Sequence, residues 1–249
     1  MKAMILAAGL GTRLRPLTDD RPKALVEVAG SALLEITLRR LQQFGIREVI
    51  VNVHHFADMV VNYLKKHDNF GMRIEISREE VLLDTGGGLK KAAWFFLDGS
   101  GGSDEQFILH NVDVLSTIDF ERMVRFHRQN QALATLAVQE RKTSRYLLFD
   151  GRNQLCGRQA GREQEAEIVR PSAETQALAF SGVHVISTRM LTRLTEDGAF
   201  SIIAPYLRLA GEGEKILGFR ADEYYWRDLG KLENVEQAAQ DVKRQAIRI

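Results

Sequence analysis

The sequence predicts an α/β fold with a mostly parallel, doubly wound central sheet through residue 140 and an antiparallel extension after it. Short apolar runs alternate with helix-like stretches from Ala3 to Gln139. Beyond residue 140, strand-like runs follow one another without long helices between them. The 249 residues, 45% of them hydrophobic, suit one large domain or two small ones and can bury a sizeable core. We read one domain, 1–249, because the α/β rhythm continues past its only loose loop.

Ala3–Ala8 is short and apolar and reads as a buried first strand. Ser31 is placed to cap a helix in which Leu33, Leu34, Ile36, Thr37, Leu38, Leu41 and Phe44 recur at helical spacing, with Gly45 as the stop. Glu48–Val53 reads as the second strand, and Ala57–Lys66 as a helix with Met59, Val60, Tyr63 and Leu64 on one side. Met72–Ser77 alternates like a third strand. Thr85 is placed to cap a Gly86–Gly88 turn leading into a helix over Leu89–Leu97. Gly99–Asp104 reads as a flexible surface turn rather than a linker. After it come a strand over Phe107–Asn111, a helix over Phe120–Asn130 and a strand over Ala134–Gln139. The antiparallel part comprises Tyr146–Phe149, Gln154–Cys156 and Ala177–Ile186. Ser201–Ala210 and Lys231–Ala246 read as helices.

Lysine plus arginine number 34 against 33 aspartate plus glutamate, a net charge of +1. That balance leaves no global footprint for nucleic acid or an anionic membrane, so any anion site must be local. The single cysteine, Cys156, permits no internal disulfide, fits a reducing cytosol and reads as an inert core residue. The apolar run after Lys2 is too short for a signal peptide, and no run approaches a membrane span. A soluble, cytoplasmic protein is expected.

Four clusters carry candidate chemistry. In the first, "LAAGLGTRLRPLTDDRPKAL", a buried strand opens into a glycine-rich cationic loop. Glycine takes the positive φ that phosphate-cradling turns need, and small residues let a ligand approach the backbone. Arg13, Arg15, Arg21 and Lys23 add four cations, partly offset by Asp19 and Asp20. Arginine offers phosphate a bidentate fork and lysine a point charge. The run points to a phosphate site rather than a solvated turn. Leu14 stands where a dinucleotide fingerprint needs its third glycine, and no Gly-Lys-Ser/Thr follows. A nicotinamide dehydrogenase and a P-loop ATPase are therefore disfavoured.

The second cluster is "LHNVDV". Asp113 lies just past a buried strand, where open α/β sheets bind ligands, and it suits Mg²⁺ held with substrate phosphates. A cap on the Phe120 helix is the alternative. In the third, "YYWRDLG", Asp228 follows an aromatic strand, and on spacing alone it reads rather as an N-cap for the helix after it. The fourth, "LLDTGGG", either admits a ring or phosphate close to backbone or forms a plain tight turn. The six histidines form no metal constellation: His54 and His55 are adjacent and read as loop or rim residues.

Together these runs resemble the sugar-1-phosphate nucleotidylyltransferases, or NDP-sugar pyrophosphorylases. The likeness rests on "LAAGLGTRLRPLTDDRPKALVEVAG" (6–30), "NVHHFAD" (52–58), "LLDTGGGLKKA" (82–92), "HNVDV" (110–114), "FSGVHV" (180–185) and "WRDLGKLEN" (226–234). Nearly the whole chain is covered in order. The first run is highly specific and the others are weak alone. The compact length and "TGGG" most resemble the N-acetylmuramate-1-phosphate uridylyltransferase and mannose-1-phosphate guanylyltransferase branches.

The resemblance implies a Rossmann-like three-layer nucleotide-diphospho-sugar transferase fold. It implies Mg²⁺-dependent nucleotidyl transfer from an NTP to a sugar 1-phosphate, giving an NDP-sugar and pyrophosphate. By match to the motifs, it implies that Arg13 grips the leaving pyrophosphate and Lys23 contacts the α-phosphate and the incoming sugar phosphate. Asp113 and Asp228 would hold Mg²⁺. Ala8, Gly9, Gly11, Thr12, Gly86 and Gly87 would line the nucleotide, and Asn111 and Gly182 would face the sugar.

The chain departs from the family pattern in two places. Val112 stands where many relatives have glycine, which is expected to narrow the space near the sugar. Gly161–Pro171 lacks a clean Glu-Lys-Pro acceptor motif, leaving the acceptor carboxylate open among Glu163, Glu165 and Glu167, with Arg145 a candidate to face the sugar. Three other readings remain. One is a nucleotidylyltransferase for a non-sugar phosphomonoester such as phosphocholine, and another a non-catalytic NDP-sugar-binding regulatory protein. The third, a glycosyltransferase, is disfavoured because Asn111-Val-Asp113 only partly matches its metal motif. The nucleobase, the sugar and the oligomeric state are not legible.

Overall fold

The structure is a computed structural model that describes residues 1–98, 105–161 and 164–247. The expected turn at 99–104 and Glu163 lie outside the described residues. The chain opens with β1 (Lys2–Leu6), a two-residue-strand hairpin of β2 (Glu27–Val28) and β3 (Ser31–Ala32), then α1 (Leu33–Gln43), β4 (Glu48–Val53), α2 (Ala57–Lys66) and β5 (Arg73–Arg78). Next come α3 (Asp84–Lys91), α4 (Ala93–Leu97), β6 (Gln106–Asn111), β7 (Val114–Ser116), α5 (Phe120–Gln129) and β8 (Ala134–Gln139). The second half holds β9 (Tyr146–Phe149), β10 (Leu155–Gln159), β11 (Ala166–Ile168), β12 (Gln176–Ser187), α6 (Ile203–Gly211), β13 (Ile216–Arg220), β14 (Trp226–Asp228) and α7 (Leu232–Lys243).

One sheet organises these pieces, in the order β11-β10-β9-β12-β6-β1-β4-β5, with β8 beside β12 and β13 beside β8. The strands β6, β1, β4 and β5 run parallel, as the alternating α/β rhythm predicts. The strands β9 to β12 pair antiparallel, so the change of pattern after residue 140 marks the extension. The parallel pair β8 and β13 closes that side. Helices cover both faces, and alternate residues of β1 feed two cores. Ala3 and Ile5 pack with Val49, Val51 and Ile108 on one face. Met4 packs with Ile50 and Leu109 on the other.

Several local expectations are corrected. Strand β1 ends at Leu6, so Ala7 and Ala8 already belong to the loop. Ser31 does not cap α1: it pairs with Val28 in the hairpin, and Ala32 is the N-cap residue without a side-chain bond. Asp119 caps α5, its Oδ1 accepting the Arg122 N–H at 2.9 Å, which frees Asp113 from that role. Asp228 does not cap α7, whose N-cap residue is Lys231. Cys156 is buried, and burial pushes its thiol above the ordinary range, as befits an inert core residue.

Candidate active site

The carboxyl ends of β1, β4 and β6 open into a cleft of about 340 Å³. Its walls include Ala8, Gly9, Asn52, Leu82, Asp84 and Thr85, together with Lys23 and Asp113. A second cleft, about 720 Å³, lies over the antiparallel extension and contains Arg141, Arg145, Gly182, Trp226 and Asp228. Asn111 and Asp113 line both, so the two clefts meet at the end of β6. Strand ends of open α/β sheets are where ligands bind.

Packing and backbone bonds hold the middle of the loop after β1. Leu14 is buried, and its N–H bonds the Gly11 carbonyl at 2.8 Å. Gly11 has φ +67°, and a Cβ there would meet Thr18 Cγ2 at 3.0 Å and Lys23 Cβ at 3.1 Å. A side chain at that position is excluded twice over. The fold returns Lys23 to the cleft, while Gly11, Thr12 and Arg13 line neither cleft. Arg13 lies instead over Gly230, where a Cβ would meet Arg13 Nη2 and Asp228 Oδ1 at 2.7 Å each. Arg15 pairs with Asp19 at 3.3 Å and Arg21 with Asp20 at 3.0 Å, both exposed. Such pairs are weak but occupy the cations. The expected four-cation cluster thus narrows to Lys23 and Arg13.

Lys23 Nζ pairs with Asp113 Oδ2 where the clefts meet, both side chains being largely buried. Asp228 reaches the same place from a distant part of the chain. The strand pair β7–β14 sets Asp228 opposite Val114, and the Leu229 N–H bonds the Asp113 carbonyl at 2.7 Å. Asp228 Oδ1 accepts the Gly230 N–H at 2.7 Å. Asp113 Oδ1 and Asp228 Oδ2 have no hydrogen-bond partner among the described residues. Two carboxylates, each with an uncommitted oxygen in one cleft, suit a cation that also binds substrate phosphates and water. No cluster of three or more His, Cys, Asp or Glu ligands occurs among the described residues, so a closed all-protein cage is not the arrangement here.

Helix α3 runs straight through Gly86–Gly88, correcting the expected turn and its Thr85 cap. The glycines are required by packing. A Cβ at Gly86 would come within 2.3 Å of the Phe200 ring, and one at Gly87 within 2.5 Å of the Gly198 carbonyl. The Gly86 and Gly87 N–H groups bond the Phe200 carbonyl at 2.8 and 3.3 Å, and neither glycine lines the smaller cleft. Thr85 Oγ1 accepts the Ile202 N–H at 2.9 Å.

In the larger cleft, Asn111 and Gly182 touch. Gly182 has φ +73° at an irregularity in β12, and a Cβ there would lie 2.7 Å from Val114 Cγ2 and 3.0 Å from Asn111 Nδ2. Asn111 Oδ1 is buried without a partner among the described residues, an unusual state for an amide. Val112 is 3% exposed and lines the smaller cleft, not the larger one. Arg141 lies over the Trp226 ring at 3.6 Å and donates to the Phe180 carbonyl at 2.6 Å. Burial holds its pKa below the ordinary value, against the opposing pull of Asp228. Glu167 is tied to Arg158 at 2.6 Å, whereas Glu165 and Arg145 line the cleft with no ion pair among the described residues.

Sequence reasoning missed Trp226 and Asn52. Trp226 Nε1 donates to the Ser181 carbonyl at 2.8 Å, which fixes the ring under Arg141. Asn52 carried a signal, as a lone amide in the otherwise apolar run "VIVNV".

Residues 2–245 match the family model described as nucleotidyl transferase. The chain belongs to the sugar-1-phosphate nucleotidylyltransferase family. It is 36% identical over 238 residues to the N-acetylmuramate alpha-1-phosphate uridylyltransferase of Caulobacter vibrioides, covering 92% of this chain and 91% of that one. A probable mannose-1-phosphate guanylyltransferase of Oryza sativa is 37% identical over 139 residues, which are 55% of this chain but only 38% of that longer protein. The fold matches HddC from Yersinia pseudotuberculosis, complexed with GMP-PN, with a TM-score of 0.75, 22% identity, and coverage of 97% and 99%. Membership makes the protein an enzyme of the nucleotidyltransferase class. Among the described residues, no helix is long and apolar enough to cross a membrane.

Proposed function

We propose that the protein transfers a nucleotidyl group from an NTP to a sugar 1-phosphate, releasing pyrophosphate with Mg²⁺ as cofactor. The observation that carries this is the Lys23–Asp113 pair, set where two clefts meet and joined there by Asp228. A nucleotide in the smaller cleft would present its α-phosphorus to an acceptor in the larger one. One domain spanning the chain, working in the cytoplasm, completes the reading.

The chemistry asks mainly for charge neutralisation and alignment. Two unit charges about 4 Å apart at an effective dielectric of about 20 repel by about 4 kcal/mol. Several such pairs oppose the approach of a phosphate dianion to a triphosphate. Lys23 supplies a cation at the reacting phosphates, and Arg13 grips the leaving pyrophosphate from the Gly230 turn. Asp113 and Asp228 would hold Mg²⁺, which screens the phosphates when bound. No general base is required, because the attacking phosphate oxygen is already ionised. Ala8 and Gly9 leave room for nucleotide, and Asn111, which lines the larger cleft as well, would face the sugar.

For the acceptor, we take first a sugar 1-phosphate carrying a second anionic group. The Caulobacter relative is named for N-acetylmuramate 1-phosphate, an acidic sugar. Arg145, without an ion pair among the described residues, is the cation placed to receive a carboxylate. Glu165 is the carboxylate left to accept sugar hydroxyls.

The test is pyrophosphate release across four NTPs and a panel of neutral and acidic sugar 1-phosphates plus phosphocholine. Turnover with a sugar 1-phosphate, dependent on Mg²⁺, supports the reading. Turnover with phosphocholine alone changes the acceptor. Tight NDP-sugar binding with no turnover of any pair favours a regulatory protein instead.

A further inference from the structure

We propose that Glu79 is a positioning residue for the nucleotide-side cleft, acting through Asn52; the inference rests on the nucleotide reading of that cleft. Glu79 follows β5 and is 5% exposed, yet it forms no ion pair among the described residues. Its two oxygens are taken by two donors. Oε1 accepts Asn52 Nδ2 at 2.7 Å, and Oε2 accepts the Leu83 N–H at 2.9 Å. Asn52, 2% exposed, turns its Oδ1 to accept the Ala7 N–H at 2.7 Å. The Glu79 backbone is fixed as well: its N–H bonds the Val53 carbonyl at 2.8 Å, and its carbonyl accepts His54 Nδ1 at 2.8 Å.

These bonds join the three walls of one cleft. Ala7 leads into Ala8 and Gly9, Asn52 is itself a wall, and Leu83 lies in the chain between the wall residues Leu82 and Asp84. Helix α3 packs directly on the pair, since a Cβ at Gly88 would lie 2.8 Å from both Asn52 Nδ2 and Glu79 Oε1. Burying a carboxylate away from any cation is costly unless hydrogen bonds satisfy it. Here the polarity leaves no neutral substitute. Once Asn52 Oδ1 serves Ala7, Asn52 Nδ2 and the Leu83 N–H both need acceptors, and only a side chain with two acceptor oxygens serves both.

The test is a polarity swap. Glu79→Gln keeps the shape but offers one acceptor and one donor, so a donor is left facing a donor. Adding Asn52→Asp restores every bond in reverse. The introduced amide Nε2 then donates to the introduced carboxylate, which still accepts the Ala7 N–H, and the amide Oε1 accepts the Leu83 N–H. The expected result for Glu79→Gln is an NTP KM raised about tenfold, with kcat and the sugar-phosphate KM within about threefold of the parent. The double variant should return the NTP KM to within about threefold. An unchanged NTP KM in Glu79→Gln overturns the proposal. So does an equal loss on both substrates and kcat with a lowered Tm, or a folded double variant whose NTP KM stays high. Should Glu79→Gln not fold, the double variant still decides. A parent that turns over no NTP sinks the nucleotide reading itself, which is distinct from an active parent indifferent to the swap.

Discussion

Lys23 and Asp113 form an ion pair, 12% and 18% exposed, at the junction of the two clefts. The cation proposed to neutralise the reacting phosphates thus rests on the carboxylate proposed to hold the metal. Each keeps the other compensated without ligand, since an unpaired buried charge is costly. With NTP and Mg²⁺ bound, Lys23 would face phosphate and Asp113 would hold the cation.

Lys23→Ala removes the phosphate-facing charge and leaves Asp113 without its partner. We expect kcat/KM to fall by about 10²–10³, the usual loss for one preorganised charge-stabilising donor. Lys23→Arg should recover only part of it, because a fork does not replace a point charge at this site. Steady-state pyrophosphate release checks both, and parent-like rates in Lys23→Ala contradict the role.

Asp228→Asn preserves the Oδ1 that accepts the Gly230 N–H, so the turn should keep its shape. The lost charge should raise the Mg²⁺ concentration for half-maximal rate by about tenfold or more, with little change in Tm. Asp113→Asn should act the same way, with a larger fall in kcat because Lys23 is left unpaired as well. A metal titration of each variant tests this, and an unshifted midpoint in both contradicts the assignment.

Gly86→Ala pushes a Cβ to 2.3 Å from the Phe200 ring and 2.9 Å from its carbonyl oxygen. Overpacking of this kind costs about 3 kcal/mol, which lowers Tm by roughly 6–12 °C in a chain of this size. Thermal unfolding followed by circular dichroism measures it. A Tm within a degree or two of the parent would mean that the glycines are not a packing requirement.

Stability should fall as pH drops below about 6.5. Burial first, then the nearby Arg40 charge, pushes His110 down to about 4; burial first, then His110, pushes His184 down to about 3. Both stay neutral in the folded state while the unfolded chain takes up protons near pH 6.5, so protonation favours unfolding. Each histidine contributes a slope of up to about 1.4 kcal/mol per pH unit between pH 6.5 and its folded value. Urea unfolding at pH 7 and pH 5 reads the slope, and equal stabilities at the two values contradict it.

The parallel strands were legible because both their faces are buried, which gives them the unbroken apolar stretches Ala3–Leu6, Val49–Val51 and Phe107–Leu109. Their carboxyl ends located Ala8, Gly9, Asn111 and Asp113 in advance. Long-range pairing was harder to read. Strands β7 and β14 have three residues each and lie more than a hundred positions apart, so nothing local announces that Asp228 joins Asp113 rather than capping α7. The helix through Gly86–Gly88 was hidden because glycine is a poor helix former, and only close packing against Phe200 and Gly198 overrides that preference. Arg15 and Arg21 looked like phosphate ligands because the nearby acids that occupy them weigh little in a charge count. The Asn52–Glu79 bond needs the register of β4 against β5, which a single sequence does not carry.

The most direct test of nucleotidyl transfer uses a sugar 1-phosphate labelled with ¹⁸O at its three non-bridging phosphate oxygens, with product masses read after turnover. Attack by the sugar phosphate on the α-phosphorus should leave all three labels in the NDP-sugar and none in pyrophosphate. Label in pyrophosphate, or turnover without an NDP-sugar, would contradict the mechanism.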